Sequence, residues 1–175
     1  MKKEVFYLAF GIILVAIIVR VIPHPANFAP VGAVAIFSGR FLPKRYAYII
    51  PVLIMFLSDL IVGFYTPLIM ASVYVSFLIS VWLGSRIKSK KLFAQTLTFT
   101  LLGSVIFFLI TNTAVWAFSS MYPHTLIGLA ESYWLALPFF RNTVLSDIFY
   151  VGVLFTSFAL FQKKSFRFNS HQIIN

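Results

Sequence analysis

Two carboxylates interrupt runs that are otherwise apolar: Asp59 in Leu57-Ser58-Asp59-Leu60, and Asp147 in Leu145-Ser146-Asp147-Ile148. A charged group inside an apolar helix costs a few kcal/mol at least and normally faces a bundle interior or a wet cavity. Each acid therefore needs a reason to be there. One reason is pairing, Asp59 with Arg20 and Asp147 with Arg141, which would lock helices together. The other is that both acids line a pocket. Other polar groups are expected at the same depth once the helices are placed: His24 and Asn27, then Asn112 and Trp116 four apart on one helix face, then Glu131, Tyr133, Arg141 and Asn142. Side chains of this kind bind a small polar or zwitterionic ring compound, with Trp116 and Tyr133 stacking on the ring and the amide and charged groups holding its polar edge.

Other chemistries lack their residues. No glycine-rich loop ending in Lys-Ser or Lys-Thr is present, so the chain is not expected to hydrolyse ATP. There is no Cys, which removes thiolate metal sites and thiol nucleophiles, and His24, His124 and His171 are too scattered for a paired metal site. No enzyme activity, cofactor or metal is expected. An intramembrane hydrolase is a distant alternative, resting on a Ser-His-Asp set that any chain of this size allows.

The elements that position these groups follow from composition. Of 175 residues 61% are apolar, 18% aromatic and only 10% Asp, Glu, Lys or Arg, whereas soluble domains carry about 25% charged residues. With a mean hydropathy of +0.95, the surrounding solvent must be lipid. Six apolar segments are predicted as helices: Glu4 to Ile22, Ala29 to Leu42, Tyr46 to Gly63, Pro67 to Ser85, Thr96 to Phe118 and Asn142 to Phe161. An even number of crossings puts both termini on one side. Lys2, Lys3, Arg40, Lys44, Arg45, Arg86, Lys88, Lys90, Lys91, Lys163, Lys164 and Arg167 then share that side, while Arg20 and Arg141 lie opposite. Basic residues are retained in the cytoplasm, so both ends are expected to be cytoplasmic and the net charge of +10 needs no nucleic acid. The expectation is an all-α integral membrane six-helix bundle over residues 1–165, in a bacterial inner membrane, followed by a short tail at 166–175.

This topology places the polar cluster in the outer half. The second segment is short for a span, so it is tilted, continued by extended chain through His24 to Phe28, or broken inside the bundle. Helix starts are marked by Pro30, by Thr66 with Pro67, and by Asn142. The stiff connection from Val21 to Ala29, and the long one from Ser119 to Arg141 with its Glu131 to Tyr133 run, are expected to cover the pocket. On the fourth segment Ser72, Ser76, Ser80 and Gly84 recur every four residues, with Ala35 and Gly39 on the second. Such a ridge packs inside a bundle or docks a separate membrane subunit.

The runs His24-Pro25-Ala26-Asn27-Phe28-Ala29-Pro30-Val31-Gly32-Ala33, Ser58-Asp59-Leu60-Ile61-Val62-Gly63, Thr111-Asn112 with Trp116, and Leu137-Pro138-Phe139-Phe140-Arg141-Asn142-Thr143 resemble an uncharacterised family of small bacterial multi-pass proteins. That family is similar to the substrate-binding S components of energy-coupling-factor (ECF) vitamin transporters. The resemblance implies six helices, an outward ligand pocket, and work with a transmembrane coupling subunit and two cytoplasmic ATPases. Many S components carry Ala-x-x-x-Ala on helix 1 for that docking; here Ala9 is followed by Ile13, so the ridge on the fourth or second segment would serve instead. The expected function is uptake of a small nutrient, its site built from His24, Asn27, Asp59, Asn112, Trp116, Glu131, Tyr133, Arg141, Asn142 and Asp147. The alternative is a non-transporting scaffold of an envelope assembly.

Overall fold

Two prolines set the element on which the architecture turns. Pro30 caps the start of a helix and Pro43 stands just past its end, where Leu42 is forced into extended backbone with ψ 153°. The helix between them, α2 (Val31–Phe41), has 11 residues and is therefore only about 16 Å long. The structure is a computed structural model that describes the backbone of residues 3–88 and 92–172 and the side chains of 11–88 and 92–160. Around α2 stand α1 (Lys3–Val21), α3 (Lys44–Val62), α4 (Pro67–Ser85), α5 (Leu92–Phe118) and α6 (Leu126–Gln172). The described residues contain helices and connections and no strand.

Helices α3, α4, α5 and α6 are long and apolar enough to cross a membrane. Their outer surfaces carry exposed Phe56, Val75, Leu102, Leu109, Leu145 and Phe149. A water-facing protein rarely exposes so much large apolar surface, and a bilayer requires it.

Helix α2 occupies the centre. Seven of its residues are buried, and it packs against α3, α4, α5 and α6. Two glycines let it approach α4: Gly39 lies against the Val81 carbonyl, and Gly84 against the Ile36 carbonyl. Further out, Gly103 of α5 receives Ser80 of α4, with 3.1 Å between Ser80 Oγ and the position of a Cβ. The ridge of small residues on α4 is thus consumed inside the bundle and is not a free docking face for another subunit; Ala35, fully buried, and Gly39 on α2 are consumed in the same way.

Because α2 is shorter than α3, α4, α5 and α6, the chain from Ile22 to Pro30 fills part of the half away from Arg40 and Arg86 as non-helical backbone, the extended-chain alternative for the second segment. Its shape is held at Asn27, which adopts φ 62° at the third position of a turn closed by the Phe28 N–H and the Pro25 carbonyl, 2.9 Å. A positive φ at that position is what a type II turn needs, and Asn tolerates it better than most side chains.

Helix α6 corrects one expectation. Its first residue is Leu126, not Asn142, so the outer connection shrinks to residues 119–125 and the Glu131 to Tyr133 run is helical. Pro138 lies within α6 and removes one backbone donor without ending the helix. Packing on both sides of it against α5 explains why: Tyr133 bonds Thr113 at 2.6 Å, and the Phe108 and Phe140 rings lie 4.8 Å apart. At the other end α6 stays helical to Gln172, into the stretch expected as tail, and residues 173–175 lie outside the described ones.

Candidate functional site

Above the start of α2, at the end of the bundle opposite Arg40, Lys44, Arg45 and Arg86, lies a partly open cavity of about 370 Å³. Its volume is in the range of small-molecule sites. Its polar wall is Arg20, His24, Asn27, Tyr65, Thr143 and Asp147, and its apolar wall includes Val73, Phe77 and Phe107. A second cavity of about 340 Å³ shares Asn27, Tyr65, Val73 and Phe107 with the first and extends outward to Thr111 and Asn112. The two lie side by side along the Asn27 turn.

Asp147 forms the floor. Its Oδ2 accepts from Ser104 Oγ at 2.7 Å, and its carboxylate also accepts the Ala33 backbone N–H. Pro30 gives α2 no side-chain cap, so this carboxylate from another helix caps it, where the helix dipole favours negative charge. The expected pairing of Asp147 with Arg141 does not form. Six residues apart on a helix means about 240° of rotation, which puts Arg141 on an exposed face while Asp147 points inward. Among the described residues the ion pair present is Arg20–Asp59, so Asp147 lines the cavity with no described cation within 4.0 Å of it.

That pair, the other one expected, does form. Arg20 Nη2 lies 2.7 Å from Asp59 Oδ1, and Tyr74 Oη donates to Oδ2 at 2.8 Å. Arg20 Nη1 also donates to Ser58 Oγ at 2.5 Å, joining α1, α3 and α4. Asp59 is 1% exposed and lines neither cavity, whereas Arg20 shows a flank to the larger one. Close by, in the connection between α3 and α4, burial and the negative charge of Asp59 push the Tyr65 phenol up to about 12. It faces both cavities as a neutral hydroxyl.

The roof is the Ile22–Pro30 segment, fastened from two sides. Asn142 Nδ2 donates to the Ala26 carbonyl at 3.0 Å and Ser146 Oγ to the Ala29 carbonyl at 2.9 Å, both from α6. His24 sits between two carbonyl acceptors, with Nδ1 2.8 Å from Pro25 O and Nε2 3.2 Å from Arg20 O, and a neutral ring donates to one of them.

Of the ten residues expected at the site, His24, Asn27, Asn112 and Asp147 line cavity walls. The other six stand elsewhere. Asp59 holds Arg20, and Asn142 anchors the roof and does not cap α6. Trp116 donates from Nε1 to Pro123 O at 3.0 Å, and Tyr133 bonds Thr113. Both rings therefore tie the α5–α6 hairpin, and the aromatic rings on the cavity wall are those of Phe77, Phe107 and Tyr65. Glu131 and Arg141 are exposed on the outer part of α6. Thr66 starts α4 without a side-chain capping bond. Sequence reading missed Tyr65, Tyr74 and Ser104; the last carries a signal, since Thr96, Thr100 and Ser104 repeat every four residues on one face of α5. No group of three or more His, Cys, Asp or Glu able to hold a metal occurs among the described residues.

Residues 1–170 match a family of unknown function, DUF6580. The chain belongs to that family. Comparison with curated proteins and with solved structures gives no match, so the assignment to DUF6580 brings no activity with it, and the geometry of the outer cavity has to carry the functional reading.

Proposed function

We propose that this member of DUF6580 is a membrane-embedded substrate-binding protein that captures a small polar nutrient in the outer cavity for uptake. The observation that carries the reading is the Asp147 carboxylate: buried, capping α2, unpaired by any described cation, and facing a cavity of about 370 Å³. A guest with an ammonium or other donor group facing Asp147, a flat body between Phe77, Phe107 and Tyr65, and an acceptor edge toward Arg20 and Asn27 would complement the walls. The resemblance to ECF S components supports an uptake role, as do six helices with an outward cavity. Because the ridge on α4 is consumed internally, a coupling subunit with its two ATPases would have to meet another face.

A scaffold reading has its own support, since Asp59, Trp116, Tyr133 and Asn142 all serve internal ties. A metabolite screen on the purified protein, read by thermal shift and by native mass spectrometry, separates the two. Uptake predicts a small cationic or zwitterionic ring compound that stabilises the wild type more than Asp147→Asn. A protein that retains no metabolite, and is stabilised by none, is not a receptor.

A further inference from the structure

At the opposite end of the bundle the ends of α2, α3 and α4 enclose another cavity, of about 440 Å³. Its mouth carries Lys44 and Arg86, its rim Tyr48 and Trp82, and its floor Ala47 and Val81. We propose that this cavity is a binding site for the phosphodiester headgroup of an anionic phospholipid in the leaflet at the basic end of the bundle.

Charge comes first. Of the four acidic residues, Asp59 and Asp147 line or support the outer half and Glu131 lies beyond it, leaving Glu4 alone to share the basic end with its many Lys and Arg. A basic pocket between spanning helices at that depth is where acidic headgroups bind. The donors are also arranged for a phosphate. The Arg86 guanidinium is laid over the Trp82 ring, 4.8 Å from its centre, which fixes its plane and leaves its N–H edge to meet two oxygens together. Lys44 opens α3, whose cap Pro43 supplies no side-chain bond. The Pro43 carbonyl takes the Tyr46 and Ala47 N–H groups, so the Lys44 and Arg45 N–H groups are those the helix start cannot satisfy itself.

The surroundings select a lipid over a free anion. Trp82 is 46% exposed at the rim, and with Tyr48 it forms the aromatic pair typical of headgroup level. The buried Leu42, Ala47 and Val81 in the cavity lining offer apolar surface suited to glycerol and the first acyl carbons and wasted on a hydrated phosphate ion.

The test is lipid titration of the full-length protein in mild detergent, followed by native mass spectrometry, with phosphatidylglycerol against phosphatidylcholine. Phosphatidylglycerol should be retained selectively. Lys44→Gln with Arg86→Gln should weaken it roughly tenfold or more, Lys44→Arg should keep it, and Arg45→Gln with Lys88→Gln, which removes equal charge outside the cavity, should weaken it clearly less. As a readout on the unaltered protein, brominated phosphatidylglycerol should quench tryptophan emission more than brominated phosphatidylcholine, and Trp82→Phe should abolish the excess. Equal retention of the two lipids, equal loss in both double variants, or displacement of the lipid by millimolar inorganic phosphate would overturn the proposal.

Discussion

The Asp147 carboxylate fills the space that a side chain at Gly32 would need: a Cβ there would collide with Oδ1 and stand 2.9 Å from Cγ. A residue with no side chain in the first turn of α2 is what lets a buried acid from α6 reach the Ala33 N–H. Gly32→Ala should therefore displace Asp147 and abolish capture of the ligand found by screening, even though alanine favours a helix over glycine by about 1 kcal/mol. Thermal melts and binding on the same preparation check this, and a Gly32→Ala protein that binds normally would show that Asp147 need not sit where it does.

Asp147→Asn keeps the shape of the side chain and one acceptor oxygen while removing the charge. The fold should survive, because the amide oxygen can still accept the Ala33 N–H, and affinity for a cationic guest should fall between about tenfold and a hundredfold. Isothermal titration gives the affinity, and unfolding in detergent gives the stability.

Arg20 and Asp59 should behave as a structural pair. Asp59→Ala leaves the guanidinium without its counter-charge and should cost about 3–5 kcal/mol, whereas Arg20→Met with Asp59→Leu should cost clearly less. A single variant as stable as the wild type would contradict the geometry. The same measurement bears on function, because loss of binding at Asp59 should track loss of fold, whereas loss at Asn112, which lines the second cavity, should not.

Tyr65 carries the pH dependence. Its phenol is raised to about 12, from the ordinary value of 10.0, so the folded protein holds that proton more tightly than the unfolded chain. Its contribution to stability is complete below about pH 10 and is lost as pH rises toward 12. Difference absorbance between wild type and Tyr65→Phe should locate the titration, and Tyr65→Phe should flatten the alkaline fall in melting temperature.

Asn27→Gly should fold normally, because glycine accepts the positive φ, yet bind more weakly for want of the amide; Asn27→Val should lose about 1–2 kcal/mol from backbone strain. Melting temperatures of the two variants distinguish the backbone role from the side-chain role.

Helix bounds are legible where Pro30, Pro43, Gly63 and Pro67 punctuate the chain. Pro67 and Ser85 bound α4 as expected, and Pro30 marks the start of α2. The same logic fails at Pro138, where one missing donor weighs less than the apolar contacts of Phe108 with Tyr133 and Phe140 that carry α6 through it. That the polar groups collect away from the basic end is readable from topology, and so is the choice of Arg20 as a partner for Asp59. The fate of individual side chains is not. Whether Trp116 faces a guest or a backbone carbonyl depends on the seven residues of the 119–125 turn, and whether Asp147 meets Arg141 or an N–H group depends on a helix packed from elsewhere in the chain.

The contact of α2 with α4 through Gly39 and Gly84 is main chain against main chain, so no rotamer change can open a conduit there. Parting those two helices would take the slide or tilt of whole rods, a rigid-body event and not a side-chain one.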